Sequence, residues 1–181
     1  MRRITKILEI FGTDYFKGKN ILEIGGGLGD IGAFFACLGA NVISAEYRIK
    51  NRNMANILHR NVSGFKSVPC NAEEDFTESL RKYVGNNSNS KFDLILCMAF
   101  IEVITKVDHV IKCCMNLSDN IVIDTQVCDS IDPNTILYVD MPGEYNDHTI
   151  NNKGARPSPA YMERLFTESR WTYERHFTRD L

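Results

Sequence analysis

The sequence lacks the features that mark membrane-spanning, secreted and metal-binding proteins. No apolar run approaches the ~20 residues that a membrane-spanning helix needs, and the first residues are not followed by the apolar core of a signal peptide. None of the six cysteines forms a C-x-x-C pair and the four histidines are widely scattered, so no metal site is predicted. These absences predict a cytoplasmic protein with reduced, buried cysteines and no membrane partner.

The sequence also lacks a surplus of charge of either sign. Its 21 lysines and arginines face 23 aspartates and glutamates, which gives a net charge of −2. A general nucleic-acid binder needs a strong basic surplus, so nucleic acid is not favoured as a partner. With 181 residues, of which 44% are hydrophobic, the chain 1–181 is predicted to fold as a single domain.

What the sequence does contain is an alternation of short apolar strands and helices. Five strands are predicted, at 20–24, 41–46, 65–69, 92–97 and 121–124. Helices are predicted at 3–12, 30–38, 48–60, 73–84, 104–117 and 159–169. The proline-bearing segment 126–157 is predicted to be a loop excursion on the substrate side, with a short strand at 135–140, and 171–177 alternates like a further strand. This order predicts an α/β protein, a three-layer αβα sandwich around a mainly parallel, Rossmann-like sheet.

A glycine cluster of the form E-x-G-x-G-x-G follows the first strand, from Glu23 onwards. Its glycines are Gly25, Gly26, Gly27 and Gly29. Ligands of such sheets bind beyond the carboxyl ends of the strands, and glycines let the backbone approach a ligand closely. Glu46 ends the second strand, where a carboxylate can accept both hydroxyls of a ribose. Strand, loop, helix, strand and acid in this order predict an adenosine-type cofactor.

The residues leave two cofactors open. The run from Gly27 to Gly32 matches G-x-G-x-x-G, which favours a dinucleotide and an NAD-dependent oxidoreductase. The glycines begin earlier than that motif, however, and the acid Glu23 would lie unfavourably near a pyrophosphate, whereas it suits a cationic group. A small dehydrogenase would also need a substrate region and catalytic groups, for which this length leaves little space.

Residues 23–29, followed by Glu46, resemble the class I S-adenosylmethionine-dependent methyltransferases. The resemblance covers 17–125 well and 155–177 loosely. It implies a seven-stranded Rossmann-like sheet, S-adenosylmethionine as the cofactor and methyl transfer to an acceptor. The charge balance favours a small molecule as that acceptor.

The resemblance also implies which residues bind the cofactor. In that family the glycine loop wraps the methionine end and the acid after the second strand binds the ribose, so these roles fall on the loop and on Glu46. Tyr47 would pack on the adenine. The other residues that it implies are Glu23, Gly25, Gly26, Gly27 and Gly29 in the loop, Asn71, Ala72 and Glu73 near the adenine amino group, and Met98 and Ala99 near the sulfonium.

The sequence departs from the family's pattern in two places. It stops soon after its candidate sixth strand, so the usual seventh strand is expected either to be missing or to be replaced by the segment 134–140. The sheet edge left open could accept a second copy or a partner subunit, and a shortened, non-catalytic binding protein is therefore an alternative. The Asn/Asp-Pro-Pro-Tyr signature of enzymes that methylate base or glutamine nitrogens is also absent after the fourth strand, at 97–100.

The sequence constrains the catalytic residues least. Methyl transfer from a sulfonium mainly requires alignment of the reactants, and a base is needed only where the acceptor must lose a proton. The candidates are Glu102 after the fourth strand, Gln126 after the fifth and His148 in the excursion, where Asp147 could orient it. Each of them also fits a solvated surface position.

Overall fold

The central sheet of the protein consists of five parallel strands. The computed structural model describes residues 2–85, 89–141 and 152–176. The strands are β1 (Asn20–Ile24), β2 (Asn41–Glu46), β3 (Phe65–Pro69), β4 (Leu94–Met98) and β5 (Ile121–Asp124). Their order across the sheet is β3-β2-β1-β4-β5. Ile24 pairs with Ala45 on one side and Cys97 on the other, so the carboxyl ends of β1, β2 and β4 lie level with each other.

Helices cover both faces of this sheet. They are α1 (Arg2–Phe11), α2 (Asp30–Cys37), α3 (Ile49–Leu58), α4 (Thr77–Arg81), α5 (Val107–Leu117) and α6 (Pro159–Glu168). Side chains alternate along β4: Leu94 and Leu96 join a core cluster with α1 and α2. Ile95 and Cys97 join the opposite cluster with α4, α5 and α6. The predicted three-layer αβα sandwich is therefore confirmed.

A separate antiparallel hairpin follows β5. It pairs β6 (Ile136–Asp140) with β7 (Lys153–Pro157). β7 packs closely against the one-turn 3-10 helix at Ile101–Val103. A Cβ atom on Gly154 would lie only 2.0 Å from the carbonyl oxygen of Glu102. Within residues 2–85, 89–141 and 152–176, no strand continues the sheet beyond β5, in agreement with the missing seventh strand.

The bounds of four predicted strands, β1, β2, β3 and β5, are confirmed to the residue. The helix predicted at 73–84 is wrong in its first part: α4 begins only at Thr77, because the Asp75 carboxylate accepts a 2.9 Å hydrogen bond from the Thr77 N–H and holds the chain in a turn. The strand predicted at 171–177 is also wrong, since 171–176 have no regular structure. Among the described residues no helix is long and apolar enough to cross a membrane.

Candidate functional site

A cleft of about 1000 Å³ opens at the carboxyl ends of β1, β2 and β4. Its size suits a cofactor-sized molecule. Seven of the residues that the sequence predicts for the cofactor line it: Gly25, Gly27, Glu46, Tyr47, Ala72, Met98 and Ala99. A smaller cavity of about 250 Å³ lies at the amino ends of the strands, beside Asn20 and Phe92.

The glycine loop passes so close to its surroundings that side chains would not fit there. A Cβ atom on Gly25 would lie 2.1 Å from the ring of Phe100. One on Gly26 would lie 1.9 Å from the hydroxyl oxygen of Ser44 and 2.6 Å from a carboxylate oxygen of Glu23. Because distances below 3 Å are excluded for carbon atoms, the loop can keep this position only with glycine at both places.

Glu23 lies beneath this loop rather than in the cleft. Its side chain is only 3% exposed. One carboxylate oxygen accepts a 2.7 Å hydrogen bond from the Ser44 hydroxyl and the other a 3.2 Å bond from the N–H of Gly32 in α2. Burial raises the pKa of Glu23 from 4.5 to about 7, and the two hydrogen bonds oppose part of that rise. Glu23 therefore stabilises the floor of the cleft, because it links β1, β2 and α2 by hydrogen bonds.

Glu46 does line the cleft, and its carboxylate is fully engaged. One oxygen accepts hydrogen bonds from the backbone N–H and the Nε of Arg48, at 2.7 and 3.0 Å. The other accepts from the N–H of Gly27 at 2.8 Å and from the Arg48 Nη2 at 3.4 Å. Four donors use the full acceptor capacity of a carboxylate. A hydroxyl group can reach Glu46 only when the Arg48 side chain moves away.

The turn after β3 divides into residues that face the cleft and residues that face away. Ala72 lines the cleft, whereas Glu73 is 6% exposed and turned towards the end of the 101–105 segment. Its carboxylate accepts hydrogen bonds from the N–H and the hydroxyl of Thr105, at 2.7 and 3.2 Å. The Asn71 Oδ1 accepts a 3.1 Å hydrogen bond from the N–H of Glu73, which stabilises this turn. Glu73 thus ties two walls of the cleft together.

At the end of β4, Met98 and Ala99 form the wall opposite Glu46. Ala99 has φ 55°, in the left-handed region that residues with a side chain seldom adopt. Its N–H donates a 2.8 Å hydrogen bond to the carbonyl of Asp124 at the end of β5. Strained residues of this kind concentrate at ligand sites.

Two of the three catalytic candidates come together beside this wall. The Glu102 carboxylate accepts a 3.0 Å hydrogen bond from the N–H of Gln126. Arg156 of β7 donates a 2.9 Å bond from Nη1 to the carbonyl of Glu102. His148 and Asp147 lie outside the described residues.

Two features of the site were not anticipated from the sequence. Ser44 is completely buried and pairs with Glu23 across β1 and β2, a role that only the strand register reveals. Arg48 follows Glu46 by two residues, and that spacing was a usable signal for an ion pair at the start of α3. Its side-chain Nε lies 3.0 Å from the acid.

Solved structures share this architecture, and several of them are methyltransferases. The N-terminal domain of EvdMO1, crystallised with S-adenosylhomocysteine and D-fucose, matches over 93% of this chain and 71% of its own, with a TM-score of 0.75 and 16% identity. The magnesium protoporphyrin IX methyltransferase ChlM from Synechocystis PCC 6803, with bound S-adenosylhomocysteine, matches over 96% and 74%, with a TM-score of 0.62 and 13% identity. An S-adenosylmethionine-dependent methyltransferase from Mesorhizobium loti matches over 94% and 81%, with a TM-score of 0.66 and 12% identity.

The chain has the class I methyltransferase fold. No protein-family model and no curated protein sequence matches it. At these low identities the agreement concerns the fold, and the assignment of cofactor-binding residues in this methyltransferase fold stays a prediction from the sequence.

The close fit of the glycine loop predicts unequal effects of two neighbouring substitutions. Gly26→Ala forces a methyl group against Ser44 and Glu23, so we expect it to lower the free energy of unfolding by about 2 kcal/mol or more. In Gly27→Ala the added methyl group meets no atom within 4 Å, and the substitution is opposed only by the backbone φ of 57°. We expect it to lower the free energy of unfolding by about 1 kcal/mol. Urea unfolding of both variants measures the difference. Equal losses would contradict the packing described.

The buried Glu23 predicts a specific pH dependence of stability. The carboxyl group binds its proton more tightly in the folded state than in the unfolded state. The stability that this difference contributes is therefore fully present below pH 4.5 and is lost as the pH rises to about 7. Glu23→Gln cannot ionise. We therefore expect the free energy of unfolding of Glu23→Gln, relative to that of the wild type, to increase between pH 4.5 and about 7, by about 3 kcal/mol at most. Unfolding at several pH values tests this, with the exposed Glu168→Gln as control; a pH-independent difference between wild type and Glu23→Gln would refute it.

Proposed function

We propose that the protein is an S-adenosylmethionine-dependent methyltransferase (EC 2.1.1) that acts on a small-molecule acceptor in the cytoplasm. The observation that carries the proposal is the pairing of Glu46 with the glycine loop at the mouth of one cleft. The Glu46 carboxylate lies 2.8 Å from the N–H of Gly27. An acid held at this point can take the hydroxyls of a ribose while the loop approaches the rest of the cofactor.

Three features of the cleft surface suit this cofactor. Side chains are missing where the loop faces the cleft, at Gly25 and Gly27, so the backbone can lie directly against a ligand. Tyr47 is 54% exposed at the end of β2, where its ring offers a flat surface for a base. Met98 and Ala99 supply the apolar wall that faces Glu46 across the cleft.

When bound, S-adenosylmethionine would supply a methyl group on a sulfonium, which is reactive without further activation. The chain's own task is then to hold cofactor and acceptor in line and to keep water out. Phe100 and Ile104 line the cleft next to Met98 and provide an apolar surface for that purpose.

Glu102 is our candidate for the base on the acceptor side. It is half-buried beside the cleft-lining Phe100 and Val103, and one of its oxygens is held by the Gln126 N–H. The second oxygen is available to receive a proton from an acceptor hydroxyl or amine. Arg156 holds the Glu102 backbone in place through its Nη1 and positions it.

The first test of this proposal is cofactor binding. We expect calorimetry to detect binding of S-adenosylhomocysteine and Glu46→Gln to weaken it at least tenfold, because hydrogen bonds to a charged group contribute roughly 1.5–3 kcal/mol each. Glu168→Gln, which changes an exposed carboxylate at the end of α6, serves as the matched control.

Absence of binding to wild type would overturn the proposed function, and normal binding by Glu46→Gln would overturn the role of Glu46 alone. Stabilisation by NAD but not by S-adenosylhomocysteine in a thermal-shift assay would favour an oxidoreductase instead.

The engagement of Glu46 by Arg48 generates a second prediction. Arg48→Met removes the side-chain donors that compete for the acid and leaves the backbone donors of Gly27 and Arg48 in place. We expect binding of S-adenosylmethionine to become several-fold tighter, since the cofactor no longer has to displace a cation. Arg52→Met, whose wild-type side chain bonds only the Glu46 carbonyl, is the control. Weaker binding by Arg48→Met would mean that Arg48 contacts the cofactor itself.

A further inference from the structure

Helix α3 exposes its hydrophobic side chains instead of burying them. Ala55 is its one buried residue, whereas Ile49 is 61% exposed and Ile57 57%. Met54 and Leu58 are about as open, at 47% and 53%. A surface helix ordinarily turns its apolar stripe inward. We use the name α3 face for the outward side of this helix and the turn that follows it, formed by Ile49, Lys50, Met54, Ile57, Leu58 and Arg60.

This face groups four exposed hydrophobic side chains on one helix. Of the twelve large hydrophobic residues that are exposed in the described part of the chain, four belong to the α3 face, and Leu28 and Tyr47 lie next to it. Leu28 adjoins the helix, because its carbonyl lies 2.9 Å from the His59 Nε2. Clustered exposure of this kind marks an interaction surface, whereas isolated exposed residues do not.

The exposure does not come from a loosely attached helix. Asn56 donates a 3.0 Å hydrogen bond to the carbonyl of Ser67 in β3 and accepts a 2.9 Å bond from the Ser67 N–H. Arg52 donates to the carbonyl of Glu46 at the other end of the helix, at 3.4 Å. These polar anchors fix α3 to the sheet, so the α3 face is presented by a rigid element.

The segment around the α3 face carries a surplus of positive charge. From Tyr47 to Ala72 there is no aspartate or glutamate, whereas the segment contributes +5 through Arg48, Lys50, Arg52, Arg60 and Lys66. Because the whole chain carries −2, the rest of it carries −7. Two acids border this segment: Glu46 lies 3.0 Å from the Arg48 Nε, and Asp30 lies 3.4 Å from the His59 Nε2. The molecule is therefore electrically polarised, with its positive side at the exposed aliphatic residues.

We propose that the α3 face docks the protein on an anionic lipid surface. Aliphatic side chains flanked by lysine and arginine are what the interface of head groups and acyl chains accepts, and the negative remainder of the chain would orient this face towards the lipid. A second copy does not fit as occupant, because two such faces would repel. The sequence predicts no membrane partner on the ground that no segment can span a bilayer, but surface docking needs no such segment.

Sedimentation with vesicles tests the proposal without cofactor or acceptor, and so independently of the proposed function. We expect the protein to bind vesicles of equal parts phosphatidylcholine and phosphatidylglycerol, to ignore pure phosphatidylcholine, and to be released by salt. Lys50→Gln should weaken binding about fivefold and Ile57→Ser about tenfold.

Two matched controls keep the test specific. Lys112→Gln on α5 removes another exposed lysine, and Ile131→Ser removes an isoleucine that is 96% exposed but distant in sequence from α3. Both controls should bind anionic vesicles like wild type. No binding by wild type at low salt, or equal losses in the controls, would overturn the proposal. Binding of acidic polypeptides without binding of vesicles would overturn it in favour of a protein partner.

Discussion

One buried carboxylate joins three elements beneath the floor of the cleft. Glu23 on β1 is bonded to Ser44 on β2 and to Gly32 in α2. A buried polar group without partners would cost several kcal/mol, so the positions of these elements are set by the need to satisfy this acid. The loop above it can pass only where Gly26 has no side chain. The floor of the cleft follows from these two constraints.

The second acid of the motif faces a different environment. Glu46 lies on the same face of β2 as Ser44, but at the strand's end, where its carboxylate borders the cleft. Its partners include a flexible side chain, that of Arg48, in place of a second strand. One carboxylate of the motif is therefore structural and sealed beneath the loop, whereas the other borders the cleft, where we propose that it exchanges the Arg48 side chain for a ligand's hydroxyls.

The sequence predicted most of the sheet and the outline of the cleft. Buried parallel strands are short apolar runs between glycine, asparagine and proline, which local composition marks well. Local hydrogen bonds and tertiary contacts decided the rest. Asp75 delays the start of α4, and β7 passes so close to Glu102 that only glycine fits at position 154. The burial of Glu23 depends on the register of β1 against β2, which no local pattern contains.

The same limit applies to α3, and it explains why its outer face was not foreseen. Periodicity places a helix at 48–60 but assumes that its apolar residues turn inward. Here the pair of hydrogen bonds between Asn56 and Ser67 anchors the helix in place of apolar packing, which leaves Ile57 and its neighbours exposed. Because Ile49 and Lys50 belong both to this face and to the cleft, docking through α3 would bring one wall of the cleft to the lipid surface. Such an orientation would favour acceptors that themselves partition into that interface.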